Sequence, residues 1–298
     1  MPSTLDRNLD GNVVLITGGT SGIGRETALA LADRGASVAI VGRNRERGRD
    51  VTREIDRRNG DGWAELYVAD LGLQEGVRNL AAEFRNRHGR LDVLVNNAGT
   101  FRNRRTETED GVEATFAVNH LAPFLLTHLL IDLLVESAPA RIVTVTSELH
   151  ERGTIDFGDL GRENEYDDME AYAQSKLANV LFTREIAERL RGTGVTANAV
   201  NPGFVPETAF TREASLRGRL TLGLFSILPL PFTKSVEEGA ETVIMAAASP
   251  EMADVTGEYL SDGRIAESSE ESRDRNVRKR LWDVSAGLVG ISPEYPIR

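Results

Sequence analysis

The sequence predicts a doubly wound α/β fold in one domain, with a parallel sheet of about seven strands and helices on both faces. Three observations carry that expectation. Short β-branched and apolar runs alternate with longer helix-patterned stretches along the chain, and repeated strand–helix–strand implies parallel strands joined by crossovers. The strand runs are nearly continuous in apolar residues, as expected where helices cover both faces of a sheet. The first run passes directly into a glycine-rich turn and then a helix, the usual opening of such a crossover.

The elements follow in order. NVVLIT (12–17) reads as the first strand, and Ala28, Leu29, Leu31 and Ala32 supply apolar positions to a helix from Gly22 to Arg34. SVAIVG (37–42) is the second strand, followed by a charged helix through Arg58. AELYVAD (64–70), a helix over 73–87 and LDVLVNN (91–97) come next. A long helical stretch over 109–136 precedes ARIVTVTS (140–147), and a helix over 169–191 precedes GVTANAVNPG (194–203). Residues 204–234 interrupt the alternation and are rich in apolar and proline residues. A helix over 235–248, a strand at GEYLSD (257–262) and a helix over 270–287 complete the chain. No repeat or low-complexity linker divides it, so residues 1–298 are expected to form a single domain.

Composition excludes several function classes. The formal net charge is −11, which argues against a nucleic-acid surface because neutralising phosphates needs concentrated positive charge. Arg102, Arg104 and Arg105 do cluster, but Glu107, Glu109 and Asp110 dilute them. Cysteine is absent, which removes disulfides, thiolate metal sites and cysteine nucleophiles, and no metal site is expected. The N-terminus lacks a basic stretch and an apolar secretory core. LGLFSILPLPF (222–232) is too short and proline-broken to span a bilayer, and HLAPFLLTHLLIDLLV (120–135), interrupted by Pro123, His128 and Asp132, reads as a buried helix. The expectation is a cytoplasmic protein without a membrane span.

Three stretches carry chemistry. TGGTSGIG (17–24) spaces Gly18, Gly22 and Gly24 between the first strand and the first helix. Glycines there permit a tight turn and close backbone approach to a pyrophosphate held at the helix N-terminus. Thr20, Ser21 and Ile23 fill the remaining positions of this cofactor loop. At the end of the second strand an acidic residue would select NAD through the ribose hydroxyl; the sequence has Gly42 and then Arg43. A guanidinium can pair with a 2′-phosphate through two parallel hydrogen bonds, so NADP(H) is expected in preference to NAD(H). The other reading makes Arg43 one more solvated arginine in a basic run.

The third stretch is YAQSK (172–176). Lys176 is one of only three lysines, with Lys234 and Lys279, among 35 basic residues. Tyr172 and Lys176 are i and i+4 on one helix, so they share a face. A free phenol, with a pKa of about 10, is a poor base at neutral pH, and a neighbouring ammonium favours the phenolate. A phenol tuned in this way can transfer the proton that accompanies hydride transfer at a carbonyl or alcohol.

With these residues named, the chain resembles the short-chain dehydrogenase/reductases, a family with a Rossmann-type fold, over nearly its whole length. TGGTSGIG is similar to the family's cofactor loop, Asp70 (followed by Leu71) to the acid that contacts the adenine, and NNAG (96–99), with Asn97, Ala98 and Gly99, to the turn bordering the adenine pocket. NPG (201–203) resembles the turn beside the nicotinamide, so that Pro202, Gly203 and Val205 are expected to line the cofactor site. Asn119, Ser147, Tyr172 and Lys176 match the catalytic tetrad. The resemblance implies Tyr172 as general acid/base and Ser147 polarising the substrate oxygen. It also implies Lys176 binding the nicotinamide ribose and lowering the Tyr172 pKa, with Asn119 ordering a water relay. FAVNHLAPFLLTHLL, SKLANVLFTREIAERL and the spacing from Ser147 to Tyr172 look like the group containing retinol dehydrogenases and WW-domain oxidoreductases. That group implies an apolar aldehyde, ketone or alcohol as substrate.

The resemblance also implies a substrate-covering segment at about 204–234, with Leu222, Leu224, Phe225, Ile227, Leu228, Leu230 and Phe232 as an apolar wall; a dimer or membrane contact is the other reading of that surface. One departure concerns the threonine that binds the nicotinamide carboxamide: its position holds Glu207, with Thr208 one residue on, after Pro206. A one-residue bulge would return Thr208 to that role. Pairing of long helices implies a homodimer or tetramer. Two rival functions stand beside the enzyme: a non-catalytic NADP(H)-binding regulator, which would have no need of a complete tetrad, and a sugar-nucleotide epimerase or dehydratase, which would carry a larger C-terminal region.

Overall fold

A computed structural model describes residues 9–58, 60–206 and 233–294. The expected covering segment, with its apolar wall and the Glu207/Thr208 departure, therefore lies outside the described residues except at its two ends. Those ends meet: Phe204 and Thr233 form a parallel bridge, and the Lys234 amide donates to the Phe204 carbonyl at 2.9 Å.

Among the described residues, eight strands form one sheet. They are β1 (Val13–Thr17), β2 (Ser37–Gly42), β3 (Ala64–Val68), β4 (Val93–Asn96), β5 (Ala140–Val145), β6 (Val195–Asn201), β7 (Tyr259–Ser261) and β8 (Arg264–Ala266). Their order is β3-β2-β1-β4-β5-β6-β7-β8. The first seven are parallel and β8 alone runs antiparallel, against β7. The chain direction across the sheet reverses between β1 and β4, and in sheets of this kind ligands bind at the carboxyl ends of the strands at that point.

Among the described residues the helices are α1 (Gly22–Ala32), α2 (Arg45–Ile55), α3 (Gln74–Arg87), α4 (Ala114–Phe116), α5 (Ala122–Glu136), α6 (Asp168–Arg189), α7 (Val236–Ala248), α8 (Glu270–Arg273) and α9 (Arg275–Leu288). Successive side chains of β1 feed opposite faces of the sheet. Leu15 enters a core shared with α3, α5, α6 and α9, while Val14 and Ile16 enter one shared with α1, α2 and α7. This two-sided burial is why the strands read as continuous apolar runs. The stretch Ala114–Glu136 is long and apolar enough to cross a membrane, yet it is mostly buried, packed on α3 and the sheet.

The seven expected strands are all present and parallel; Asp262-Gly263, both at positive φ, turns β7 back into β8, a three-residue edge strand too short to show a pattern. Three expectations are corrected. The helix expected from 109 starts at Ala114. There the buried Glu113 carboxylate accepts the amides of Thr115 and Phe116, both at 2.8 Å, while Glu107 and Glu113 bridge across the preceding turn. The helix after it is not uniform: Ala117–Leu121 forms a π-turn between α4 and α5. The final helix is two pieces, since the Asp274 side chain caps α9 by accepting from the amides of Asn276 and Val277.

Candidate active site

The carboxyl ends of β1, β2, β4, β5 and β6 open on one cleft of about 760 Å³. Gly18, Thr20, Ser21, Gly22, Ile23 and Gly24 form its floor at the start of α1. Gly18 has φ of 70° and Gly22 of 55°, the left-handed region that side chains avoid. A Cβ on Gly18 would lie 2.8 Å from Asn97 Nδ2, and one on Gly24 would run into Asn97 and the Gly18 backbone. The turns after β1 and β4 are packed too closely for anything but glycine. Thr17 locks them together: its Oγ1 accepts from the amides of Asn97 and Ala98, both at 3.0 Å, and Asn97 Nδ2 donates to the Thr17 carbonyl at 2.9 Å.

The N-cap side chain leaves the start of α1 uncapped. Ser21 is extended and its side chain makes no cap, and the first turn carries no acidic residue. Helix N-termini leave amide donors unsatisfied and carry partial positive charge, so this end is built to receive an anion. Arg43, after β2, lines the cleft and is exposed, with Arg47 beside it. A Cβ on Gly42 would sit 2.8 Å from Thr20 Oγ1 and closer still to its methyl, so an acidic side chain has no room there. Asp70, whose Oδ1 accepts the Gly72 amide at 2.9 Å, lines the same cleft with Leu71, Ala98 and Gly99. These features fit a dinucleotide carrying a pyrophosphate and, near Arg43, a further phosphate.

The other end of the cleft holds Ser147, Tyr172 and Lys176, three of the four residues expected as a tetrad. Tyr172 and Lys176 project from the first turns of α6, with Lys176 Nζ 5.4 Å from the Tyr172 ring centroid. Two bonds fix α6 here: Thr146 Oγ1 donates to the Lys176 carbonyl at 2.7 Å, and Asn119 Nδ2 donates to Ser175 Oγ at 3.0 Å. Ser147 follows β5, half-buried, and its Oγ accepts the Leu149 amide at 3.2 Å. Asn119 is fully buried in the π-turn behind the cleft. Its Oδ1 accepts the Thr100 amide at 2.7 Å, and its Nδ2 also donates to the Thr100 carbonyl at 3.0 Å. Single π-turns of this kind are frequent at functional sites. Asn119 Oδ1 and Lys176 Nζ both lie 3.5 Å from where a Cβ on Gly99 would be, so they face one small space that this glycine leaves open.

Electrostatics depart from one expectation. Burial pushes the Tyr172 phenol up, not down, and pushes Lys176 down to about 8. Lys176 is buried and donates to the Val145 carbonyl at 3.3 Å. Desolvation outweighs the pairwise attraction that spacing alone suggests, because both groups share a poorly hydrated wall.

Pro202, Gly203 and Val205 line the cleft after β6, where the Gly203 amide donates to Asn201 Oδ1 at 3.0 Å. Of the nineteen residues expected to form the catalytic and cofactor sites, eighteen line one cavity, and Asn119 sits behind it. Sequence reasoning missed the other lining side chains, chiefly Phe101, Leu149, Met169 and Phe204, with Arg102 and Arg152. Phe101 stands edge-on to Tyr172 with centroids 5.8 Å apart. Phe101, Arg102 and Phe204 lie in irregular segments, Leu149 and Arg152 in the 3₁₀ turn Glu148–Arg152 and Met169 at the start of α6, none within a motif; Thr17, at the head of TGGTSGIG, was legible but unread.

Comparison with known proteins agrees with this geometry. A family model described as short chain dehydrogenase matches residues 12–217. Mouse retinol dehydrogenase 14 is 42% identical over 293 residues, covering 95% of this chain and 87% of that protein. An uncharacterized protein from Mycobacterium paratuberculosis superposes with a TM-score of 0.78 at 29% identity, over 99% of each chain. A short chain dehydrogenase from Burkholderia cenocepacia J2315, solved in complex with NADP, superposes with a TM-score of 0.68 at 29% identity, covering 86% of this chain and 98% of that one. The protein therefore belongs to the short-chain dehydrogenase/reductase family, oxidoreductases acting on CH–OH donors, and is similar along almost its whole length to retinol dehydrogenases.

Proposed function

We propose that the protein interconverts an apolar aldehyde or ketone and its alcohol with NADP(H), using Tyr172 as general acid/base. The observation that carries this reading is the shared face of Tyr172 and Lys176 in the same cleft as the uncapped N-terminus of α1. NADP(H), when bound, supplies or accepts the hydride. The first turn of α1 holds the pyrophosphate, and Asp70 contacts the adenine end. Arg43 pairs with the 2′-phosphate, where Gly42 and Thr20 leave no place for the acid that would favour NAD(H). The NADP held by the Burkholderia relative supports that choice.

At the reacting end, the Ser147 hydroxyl donates to the substrate oxygen while accepting from the Leu149 amide. Tyr172 keeps its proton in the resting protein, as burial dictates, and delivers it to that oxygen during reduction. Lys176 sits beneath with a compact charge that binds ribose hydroxyls and stabilises the phenolate left behind. Asn119 and Lys176 face a common space above Gly99, the route by which a proton is passed inward in this reading. Apolar side chains at this end, Phe101, Leu149 and Met169, support a hydrophobic substrate, as does the name of the retinol dehydrogenase relatives.

The test is loss of NADPH absorbance with a series of aldehydes of rising chain length. Turnover should rise with chain length and be at least about tenfold better with NADPH than with NADH, the ratio one charged hydrogen bond supplies. NADPH binding without consumption of any aldehyde or ketone would contradict the reading.

A further inference from the structure

We propose that His150 is a positioning residue for Ser147, holding the serine through a neutral imidazole braced against the C-terminal segment. The inference rests on the reading of Ser147 as the group that polarises the substrate oxygen. His150 lies three residues after Ser147, in the 3₁₀ turn Glu148–Arg152, and is completely buried. Its backbone amide donates to the Ser147 carbonyl at 3.1 Å, and its Nδ1 lies 2.8 Å from that same carbonyl oxygen. On the other side, the Ser269 amide donates to His150 Nε2 at 3.1 Å.

These contacts fix the tautomer. A backbone amide can only donate, so Nε2 is the acceptor and the single ring proton is on Nδ1, directed at the Ser147 carbonyl. Burial pushes the His150 pKa down, which keeps the ring in this neutral form near pH 7. The ring also packs against Tyr259 of β7, with centroids 4.7 Å apart. Ser269 caps α8, and Ser272 Oγ donates to Ser268 Oγ at 2.7 Å, so the brace continues into a hydrogen-bonded segment.

The consequence falls on the hydroxyl. With its carbonyl held by two donors from one residue, Ser147 stays extended at φ −159° and ψ 156°. That geometry lets its Oγ accept the Leu149 amide and turn its own proton into the cleft. Without the Nδ1 bond the carbonyl can swing, and the hydroxyl moves with it. Displacements of about 1 Å at a reacting group cost on the order of a hundredfold in rate.

Two substitutions separate the halves of the brace. In His150→Asn the side-chain amide stands where Nδ1 was and can still donate to Ser147, but nothing reaches Ser269. In His150→Gln the amide oxygen can still accept from Ser269, but the donor to Ser147 is lost. The experiment measures kcat and KM for a long-chain aldehyde, Kd for NADPH and Tm for both variants beside Ser147→Ala. The expected result is a kcat loss of about ten- to a hundredfold in His150→Gln. His150→Asn should recover most of kcat although it too loses thermal stability, and both should hold NADPH Kd within about twofold of wild type. Equal kcat losses that follow Tm, or a His150→Gln variant at wild-type kcat, would overturn the proposal while a dead Ser147→Ala left the reading of the cleft standing. A fully active Ser147→Ala would overturn both.

Discussion

Lys176 shows how the site trades stability for chemistry. Its ammonium is buried and its pKa is pushed down to about 8 from an ordinary 10.5 by desolvation, so the charged form is disfavoured in the folded protein. The sign follows from linkage. Below pH 8 the lysine is protonated in both folded and unfolded chains, and the full desolvation penalty acts against folding. Between pH 8 and 10.5 the folded chain sheds the proton first and the penalty fades; above 10.5 it is gone. At about 1.4 kcal/mol per pKa unit the penalty is on the order of 3 kcal/mol. Lys176→Met should therefore abolish turnover yet raise Tm at pH 7 in the absence of nucleotide, with the gain shrinking as pH passes 8. The Val145 carbonyl keeps a second donor in Asn179 Nδ2 at 3.3 Å, so the variant leaves it paired. Calorimetry from pH 6 to 10 checks this, and a lower Tm at pH 7 would contradict it. Lys176 could be singled out in the sequence because an otherwise arginine-rich chain keeps a lysine four residues after a tyrosine. The direction of the Tyr172 shift was not legible. It depends on burial by Phe101 and the surrounding wall, which no spacing encodes.

At the scale of elements, the proposed preference for NADP(H) rests on the stretch where β2 ends and α2 begins. The strand finishes at Gly42, Asn44 caps α2 by accepting the Arg47 amide at 2.9 Å, and Arg43 is left between them, exposed on the cleft. Because Thr20 of the neighbouring turn fills the space above Gly42, both turns support the proposed preference. Arg43→Ala should weaken NADPH binding by about ten- to a hundredfold, the worth of a charge-assisted hydrogen bond, and leave NADH binding within about twofold. Titration of both nucleotides by fluorescence checks it; equal weakening of the two would sink the assignment. Elements of this kind were readable because each is a short local pattern. The glycine turn, the strand ends and the pairing of residues on α6 all fall within a few residues of one another. The π-turn at Ala117–Leu121 was hidden, since a single extra residue in an apolar helix changes no periodicity that a window can register. It nonetheless sets Asn119 toward Thr100 and Ser175.

Across the whole molecule, contacts distant in sequence do most to frame the site. The two long helices, α5 and α6, through which pairing was expected, are covered in this chain by α9. Trp282 stacks on Phe182 and stands edge-on to Phe124, and Arg189 lies over its ring. His150 and Ser269, 119 positions apart, meet behind Ser147, and His120 reaches Ser285 across 165 positions. None of these could be read from pattern, because each depends on where the sheet order carries the C-terminal segment. What pattern did carry was the order of the crossovers, and that order brings the glycine turn and the tyrosine helix to one cleft. The central claim is that proton transfer at the far end of this cleft belongs to Tyr172. It is tested most directly by Tyr172→Phe, which removes one oxygen and keeps the ring against Phe101. We predict that NADPH Kd stays within about threefold while NADPH oxidation with a long-chain aldehyde falls by about a hundredfold to ten-thousandfold. A variant that turns over at the wild-type rate would contradict the account.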